Sequence, residues 1–492
     1  MFRRKAAGGM RISRRGLIGA AGVAVGSPLA AWSSAMPASG SSAGSADVII
    51  VGGGYSGMAA AHQLVRAGKS VIVLEARKRV GGRAFTQQVP GGGWVDNGAQ
   101  WIGPAQTRIL ALAREFHVKT FPTYQTGKSI LEYQGRRVEF SGLALEELLK
   151  VPIPPQDLAE FALAVDKFSR LAETVPSAAP WTAPNAAGWD SQTVATWMNA
   201  NMKTAGARFL FTTAVNGYFS VEPADFSFLH FLFYVAAAGG FETLEENSLA
   251  WRFNGGVQQI PDAIAARLGD AVKLCSPVRC IDQTGSKVVV TTDNGQYEGS
   301  RVIIAMAPPM AARIDYQPIL PASRDQYTQH LAMGSTIKAH AVYRTPFWRA
   351  QGLNGQILTQ SPVNVTYDNS PPGGTPGILV AFFEGDPARE WADRPEAAIK
   401  AEILRTLVNY FGPRAARPEY YYQVVWANEE WSRGCYCGIP ATGTWTEYKD
   451  ALRTPVGRVH WAGTETSVEW AQYMEGAVAS GQRAATEVEA EL

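Results

Sequence analysis

The chain has 492 residues, 46% of them hydrophobic and 18% charged, with a formal net charge of +2. That length allows roughly two to four domain-sized units, and the composition excludes a disordered or fibrous chain. Six basic residues and no acid fall within residues 1–46 (Arg3, Arg4, Lys5, Arg11, Arg14 and Arg15), so removing them from +2 leaves −4 for the body. A mildly acidic body has no electrostatic reason to seek nucleic acid.

The basic cluster has its own reading. Ser13-Arg14-Arg15-Gly16-Leu17-Ile18-Gly19 opens a modestly apolar stretch to Ala31 that is rich in small residues. Charge, apolar run and small-residue exit come in the order of a twin-arginine export signal. Residues 1–45 are therefore expected to be signal and linker, and the mature protein to be periplasmic or secreted. No later segment gives an uninterrupted apolar span of about 20 residues, so no stable membrane anchor is expected.

Asp47-Val-Ile-Ile-Val51 reads as a short buried strand running into Gly52-Gly53-Gly54-Tyr55-Ser56-Gly57. A helix is expected over 58–67, broken at Gly68, then a second strand, Val71-Ile-Val-Leu74, closing on Glu75: a βαβ unit. Residues 151–190 look broken by Pro and Ala-rich turns, 226–235 form a dense aromatic run, and 361–377 read as a loop. Strands at 287–292 and 301–305 flank a turn at Asp293-Asn294-Gly295. A last strand, 459–462, precedes a C-terminal helix over about 474–490. The fold class is α/β, with pieces of one nucleotide-type domain at the start, middle and end of the chain.

Four cysteines are too few for a disulfide framework at this length. Cys275 and Cys280, five apart in one expected strand, point to opposite faces. Cys435 and Cys437 are separated by one residue, where a disulfide would be strained. The six histidines show no metal-binding spacing, so no metal is expected.

Chemistry concentrates in two places. Gly52, Gly54 and Gly57 let the backbone turn tightly and approach a pyrophosphate whose charge rests on the helix N-terminus. Glu75 stands ready for a ribose hydroxyl. That motif alone leaves NAD and FAD both open. The following Glu75-Ala-Arg77-Lys-Arg79-Val-Gly81-Gly82-Arg83 adds a second close backbone approach at Gly82 and a guanidinium at Arg83 able to neutralise phosphate.

That string, together with Gly463-Thr464-Glu465-Thr466, resembles the flavin-dependent amine oxidases, and the monoamine oxidase branch in particular. The resemblance extends through Val95–Pro104, Leu268–Leu274, Pro277-Val278, Gly334–Lys338, Pro346–Trp348 and the block from Gly457 onward. It implies an FAD-binding, Rossmann-like domain of the glutathione-reductase type over 46–120, 252–325 and 425–492. An α+β substrate domain is then inserted over 121–251 and 326–424.

The resemblance also assigns roles. Lys338 corresponds to the lysine that holds a water against flavin N5; Tyr436 and Tyr473 correspond to the two phenols of an aromatic cage. Trp426 is the tryptophan near the flavin, Trp101 a cavity-lining aromatic, and Val278 a backbone contact at the adenine end. Arg77, Thr464, Glu465 and Met474 fall among its cofactor contacts. Cys435, just before the first cage tyrosine, matches the cysteine joined covalently to the flavin in mitochondrial members, with a small buried cysteine as the rival reading. Glu242, Glu245 and Glu246 fall where relatives open their cavity, as a second-ammonium site or a solvated loop.

The reaction so implied is hydride transfer from the amine α-carbon to flavin N5, hydrolysis of the imine, and reoxidation by O2 to H2O2. The expected partners are a small amine and O2, with a homodimer left open. An amine dehydrogenase feeding a periplasmic carrier shares every motif. An L-amino-acid oxidase would need an arginine for the carboxylate.

Overall fold

The computed structural model describes residues 43–142, 147 and 150–492; the expected export signal lies outside them. Four consecutive β-branched residues, Val48-Ile49-Ile50-Val51, are buried whichever way they point, as a strand inside a parallel sheet requires. They end β1 (Gly44–Val51). The chain turns through three glycines into α1 (Tyr55–Arg66) and returns as β2 (Val71–Leu74), parallel to β1 with Val51 opposite Leu74. The helix starts three residues before the expected Met58, with Gly54 at its N-cap, and stops at Ala67, where Gly68 takes φ +78°.

Distant segments complete this sheet. Val272–Lys273 adds beside β2, and β3 (Gly295–Ile304) lies parallel to β1 on the other side. The strand Val459–Trp461 pairs with the end of β3, also in parallel. β3 forms a hairpin with Val288–Thr292 and is longer than the expected 301–305, because pairing resumes at once, Gly295 opposite Thr292. Cys275 sits outside the Val278–Asp282 strand at φ +54°, so strand alternation does not govern it; all four cysteines are free thiols.

A second sheet carries the other half of the chemistry. Its central strands are β4 (Thr336–Tyr343) and β5 (Gly377–Glu384), with every residue of both buried. They pair antiparallel, Thr336 opposite Glu384 and Lys338 opposite Phe382. Side chains alternate along a strand, so these four share one face. Val365–Asp368, inside the expected 361–377 loop, is a strand beside β5.

Helices pack an aromatic core of Phe168, Phe211, Phe219, Phe226 and Phe231. The segment expected to be broken over 151–190 contains an 18-residue helix, Pro155–Ala172. Pro155 occupies its first position, where a missing N–H leaves nothing unsatisfied. The aromatic run becomes the buried helix Phe228–Ala237. Among the described residues, no helix is long and apolar enough to cross a membrane.

The C-terminal helix Met474–Glu489 lies directly on α1. A Cβ on Gly481 would stand 2.1 Å from the Ser56 carbonyl oxygen. Gly481→Ala forces these helices apart and is expected to cost about 1–3 kcal/mol, read as a lowered melting temperature. An unchanged melting temperature would show that the helices are not held at this spacing.

Candidate active site

The first glycine loop is built by what it lacks. Gly52 sits at φ +103°, and a Cβ on Gly57 would lie 1.9 Å from the Gly52 oxygen, so only glycine lets α1 tuck beneath the turn. Glu75, buried at the end of β2, accepts the Gly53 N–H on one oxygen (2.7 Å) and the Arg77 N–H on the other (2.9 Å). The second loop joins the first: the Gly81 N–H donates to the Gly53 carbonyl at 2.8 Å, and a Cβ on Gly82 would meet the Gly54 Cα at 3.3 Å. The result is a backbone-lined cradle at the N-terminus of α1, next to a buried carboxylate.

Two arginines do other work than their charge suggests. Arg83 closes a two-pronged pair with Glu465 (2.7 and 3.1 Å) and donates to the Tyr436 carbonyl at 2.7 Å. Its fork is directed at the protein, so the charge it can lend a phosphate is shared with Glu465. Arg77 is held in the same way by Glu429 (2.5 and 3.2 Å) and the Ser432 hydroxyl (2.8 Å).

The other pole gathers around Lys338. Its ammonium, buried on β4, donates to the Gly98 carbonyl (2.8 Å) and to Gln100 Oε1 (2.7 Å), and lies 5.4 Å from the ring centres of Trp101 and Phe382. Burial brings its pKa down to about 7, against the opposing pull of Asp96. Cys435, whose peptide to Tyr436 is cis, is 4% exposed, and burial pushes its thiol up to about 12.

The two phenols are tied in opposite senses. The Tyr436 hydroxyl donates to Glu384 Oε1 at 2.6 Å, while the Tyr473 hydroxyl accepts from Tyr234 at 2.6 Å. Thr464 fixes the second phenol's backbone by donating to the Tyr473 carbonyl at 2.7 Å. Tyr234 and Tyr473 also stack, centroids 5.7 Å apart.

One continuous cavity of about 880 Å³ joins these poles. It brings together Gly52, Gly54, Glu75, Arg77, Gly82, Arg83, Trp101, Val278, Lys338, Cys435, Tyr436, Thr464, Tyr473 and Met474 along its wall. Gly57, Glu465 and Trp426 are not on that wall. Gly57 lies under the loop, Glu465 behind Arg83, and the Trp426 indole is packed behind Gly98 with its N–H on the Asn97 carbonyl at 2.9 Å. Of the three acids in the expected entrance loop, which is in fact the helix Phe241–Ser248, Glu245 alone reaches the cavity.

Sequence reasoning missed Gln100, Tyr234 and Glu384. Glu384 carries the signal that marked Glu75, an acid closing a wholly apolar strand, and could have been found by it. The others look like an ordinary loop amide and a core ring.

The residues present fit an extended dinucleotide flavin: a glycine cradle, a buried carboxylate at the end of the second strand, and an unbroken cavity leading to a lysine and two phenols. The family model for flavin containing amine oxidoreductase matches residues 55–489. The chain belongs to that family. It is 36% identical over 464 residues to the flavin-containing amine oxidase B of Sus scrofa, covering 90% of this chain and 86% of that one. It is 38% identical over 449 residues to an L-amino acid dehydrogenase of Synechocystis, covering 90% and 94%. A putrescine oxidase solved with putrescine bound superposes at a TM-score of 0.85 with 36% identity over 91% of this chain and 99% of that one. The same enzyme has been solved as an alanine-to-cysteine variant in a redesign of its cofactor binding. The protein is thus a flavin-dependent amine-oxidising enzyme.

Lys338 couples the site to pH. Its folded pKa lies below the 10.5 of a free lysine, so between about 7 and 10.5 the unfolded chain binds more protons and folding stability gains from this residue as pH rises. Lys338→Met removes that gain. The melting temperature of the variant relative to the parent should fall steadily from pH 7 to pH 10; a difference independent of pH would show that Lys338 is not buried as an ionisable group.

Proposed function

We propose that this chain oxidises a primary or secondary amine with an apolar tail, using O2 as the electron acceptor. The observation that carries the reading is that a buried lysine and two hydrogen-bonded phenols line the same cavity as the glycine cradle. Gly52, Gly54, Glu75 and Gly82 would hold the pyrophosphate and ribose of FAD, Val278 the adenine end, and Thr464 and Met474 the ring. Bound FAD supplies the two-electron acceptor that takes hydride from the carbon beside nitrogen and hands the electrons to O2.

The protein's share is orientation and charge. Tyr436 and Tyr473 present aromatic walls that favour an electron-poor nitrogen as positive charge grows on it. Lys338 offers an ammonium in a dry site, where developing negative charge is stabilised far more than in water. Phe209, Leu210, Tyr218, Phe161 and Val165 line the end away from the cradle and suit an apolar tail.

Charge distribution argues against an α-amino acid. The arginines on the cavity wall, Arg77, Arg83, Arg279 and Arg313, share it with acidic partners or stand on the Val278 side, while the aromatic half presents Glu245 and Glu384. A substrate carboxylate there would be desolvated without a partner, at about 3 kcal/mol or more. Phenethylamine should therefore bleach the oxidised flavin under argon at least about 100-fold faster than L-phenylalanine. Equal rates would move the reading to the dehydrogenase relative's chemistry.

We further propose that Cys435 bonds to the flavin. Its thiol lines the cavity between Arg83 and Lys338, whose charges favour the thiolate against the pull of burial. Acid precipitation of the holoprotein should leave the yellow colour with the pellet, and Cys435→Ala should release it. Colour in the supernatant of the parent overturns the bond while leaving the amine chemistry intact.

A further inference from the structure

We propose that Glu384 is the group that removes the proton from the incoming ammonium, working through Tyr436. Amines of ordinary basicity enter protonated near neutral pH, with pKa values of about 9–10. An ammonium has no lone pair to support positive charge as the α-hydrogen leaves, so the proton must depart first. The cavity holds an acceptor placed for this. Glu384 is 3% exposed, lines the aromatic half, and accepts the Tyr436 hydroxyl at 2.6 Å; its other partner is Asn364, at 3.5 Å. Among the described residues no cation lies within ion-pair distance of it. A buried carboxylate with phenol and amide for company is short of positive charge, and a substrate ammonium supplies it.

The proton count closes. The ammonium N–H passes its proton to the Tyr436 oxygen as the phenol passes its own to Glu384 Oε1. The net change is ammonium plus carboxylate to neutral amine plus carboxylic acid, with Tyr436 unaltered. Hydride loss from the neutral amine leaves an iminium cation whose nitrogen has no lone pair, so once it departs the carboxylic acid gives its proton to water entering the cavity, and the site is reset. Tyr473 cannot substitute, since the group behind its hydroxyl is the Tyr234 phenol and not a carboxylate.

The surroundings suit the role. Glu384 faces Tyr436 from the 435–437 segment, Asn364 and Tyr367 from the adjoining strand and its lead-in, and Thr336 across the β4 register. Lys338 lies two positions along β4, with its ammonium turned to Gly98 and Gln100. Glu222 and Asp386 lie just beyond the strand end, joined to each other by the Asp386 N–H on Glu222 (3.0 Å), and Glu245 stands on the cavity wall. Burial raises the Glu384 carboxyl to about 7, so it is ionised and competent above that pH and idle below it.

The parent should therefore show an acidic limb in kcat/KM near pH 7, set by the enzyme. In Glu384→Gln the limb should move up to the substrate's own pKa, with a loss of about 100-fold at pH 7.5 that shrinks to a fewfold at pH 10. A uniform loss at every pH would mean that Glu384 only props Tyr436 in place, and would overturn the proposal. If Glu384→Gln does not fold, Tyr436→Phe breaks the same relay and should move the limb alike.

Discussion

The site exists because α1 and the C-terminal segment meet at a glycine, where one backbone lies directly on the other. The Ser56 hydroxyl, in the first turn of α1, accepts the Gly463 N–H at 2.9 Å and touches the Ser480 hydroxyl at 3.1 Å. Gly481 presses on the Ser56 carbonyl, and Arg83 reaches across to Glu465 and the Tyr436 carbonyl. The cradle belongs to the first hundred residues and the phenols to the last sixty. At Gly481 their spacing is set by backbone-to-backbone contact, which deforms far less than a contact between flexible side chains. Arg83 matters here as a strut, carrying the position of the glycine loops to the peptide that bears Cys435 and Tyr436.

How much of this was legible in the sequence depends on how local the cause is. The βαβ unit could be read because its strands are apolar throughout and its turns require glycine: Gly52 and Gly57 announce a steric fact that holds wherever the chain goes. Lys338, Tyr436 and Tyr473 were legible only through family resemblance. A lysine on a strand carries no mark of burial, and what buries this one, Gly98 and Gln100, lies about 240 residues earlier. The Arg83–Glu465 pair was not legible, because a guanidinium after a glycine loop suggests phosphate and its carboxylate partner sits 382 residues away. The helix over 155–172 was hidden by prolines that stand at its start and not within it.

The cavity's electrostatics follow from depth more than from pairing. Burial moves the Lys338 ammonium down and the Glu384 carboxyl up, each to about 7. A base and an acid that would differ by six pH units in water are thereby brought to the same point, and both can exchange protons under ordinary conditions. The phenols add direction. With Tyr436 donating outward to Glu384 and Tyr473 accepting from Tyr234, the two walls of the slot are polarised unequally, so a nitrogen between them meets two different faces.

Lys338 and Glu384 also share one face of adjacent strands in fixed register, Lys338 opposite Phe382 and Thr336 opposite Glu384. A slip of one residue would turn both away together, so this sheet acts as a ruler that resists adjustment. The tail end of the cavity is walled by helices, whose side chains can be exchanged one at a time without moving that ruler. New amines are thus best accommodated by altering the helical wall over 155–219, and the catalytic geometry should survive such drift unchanged.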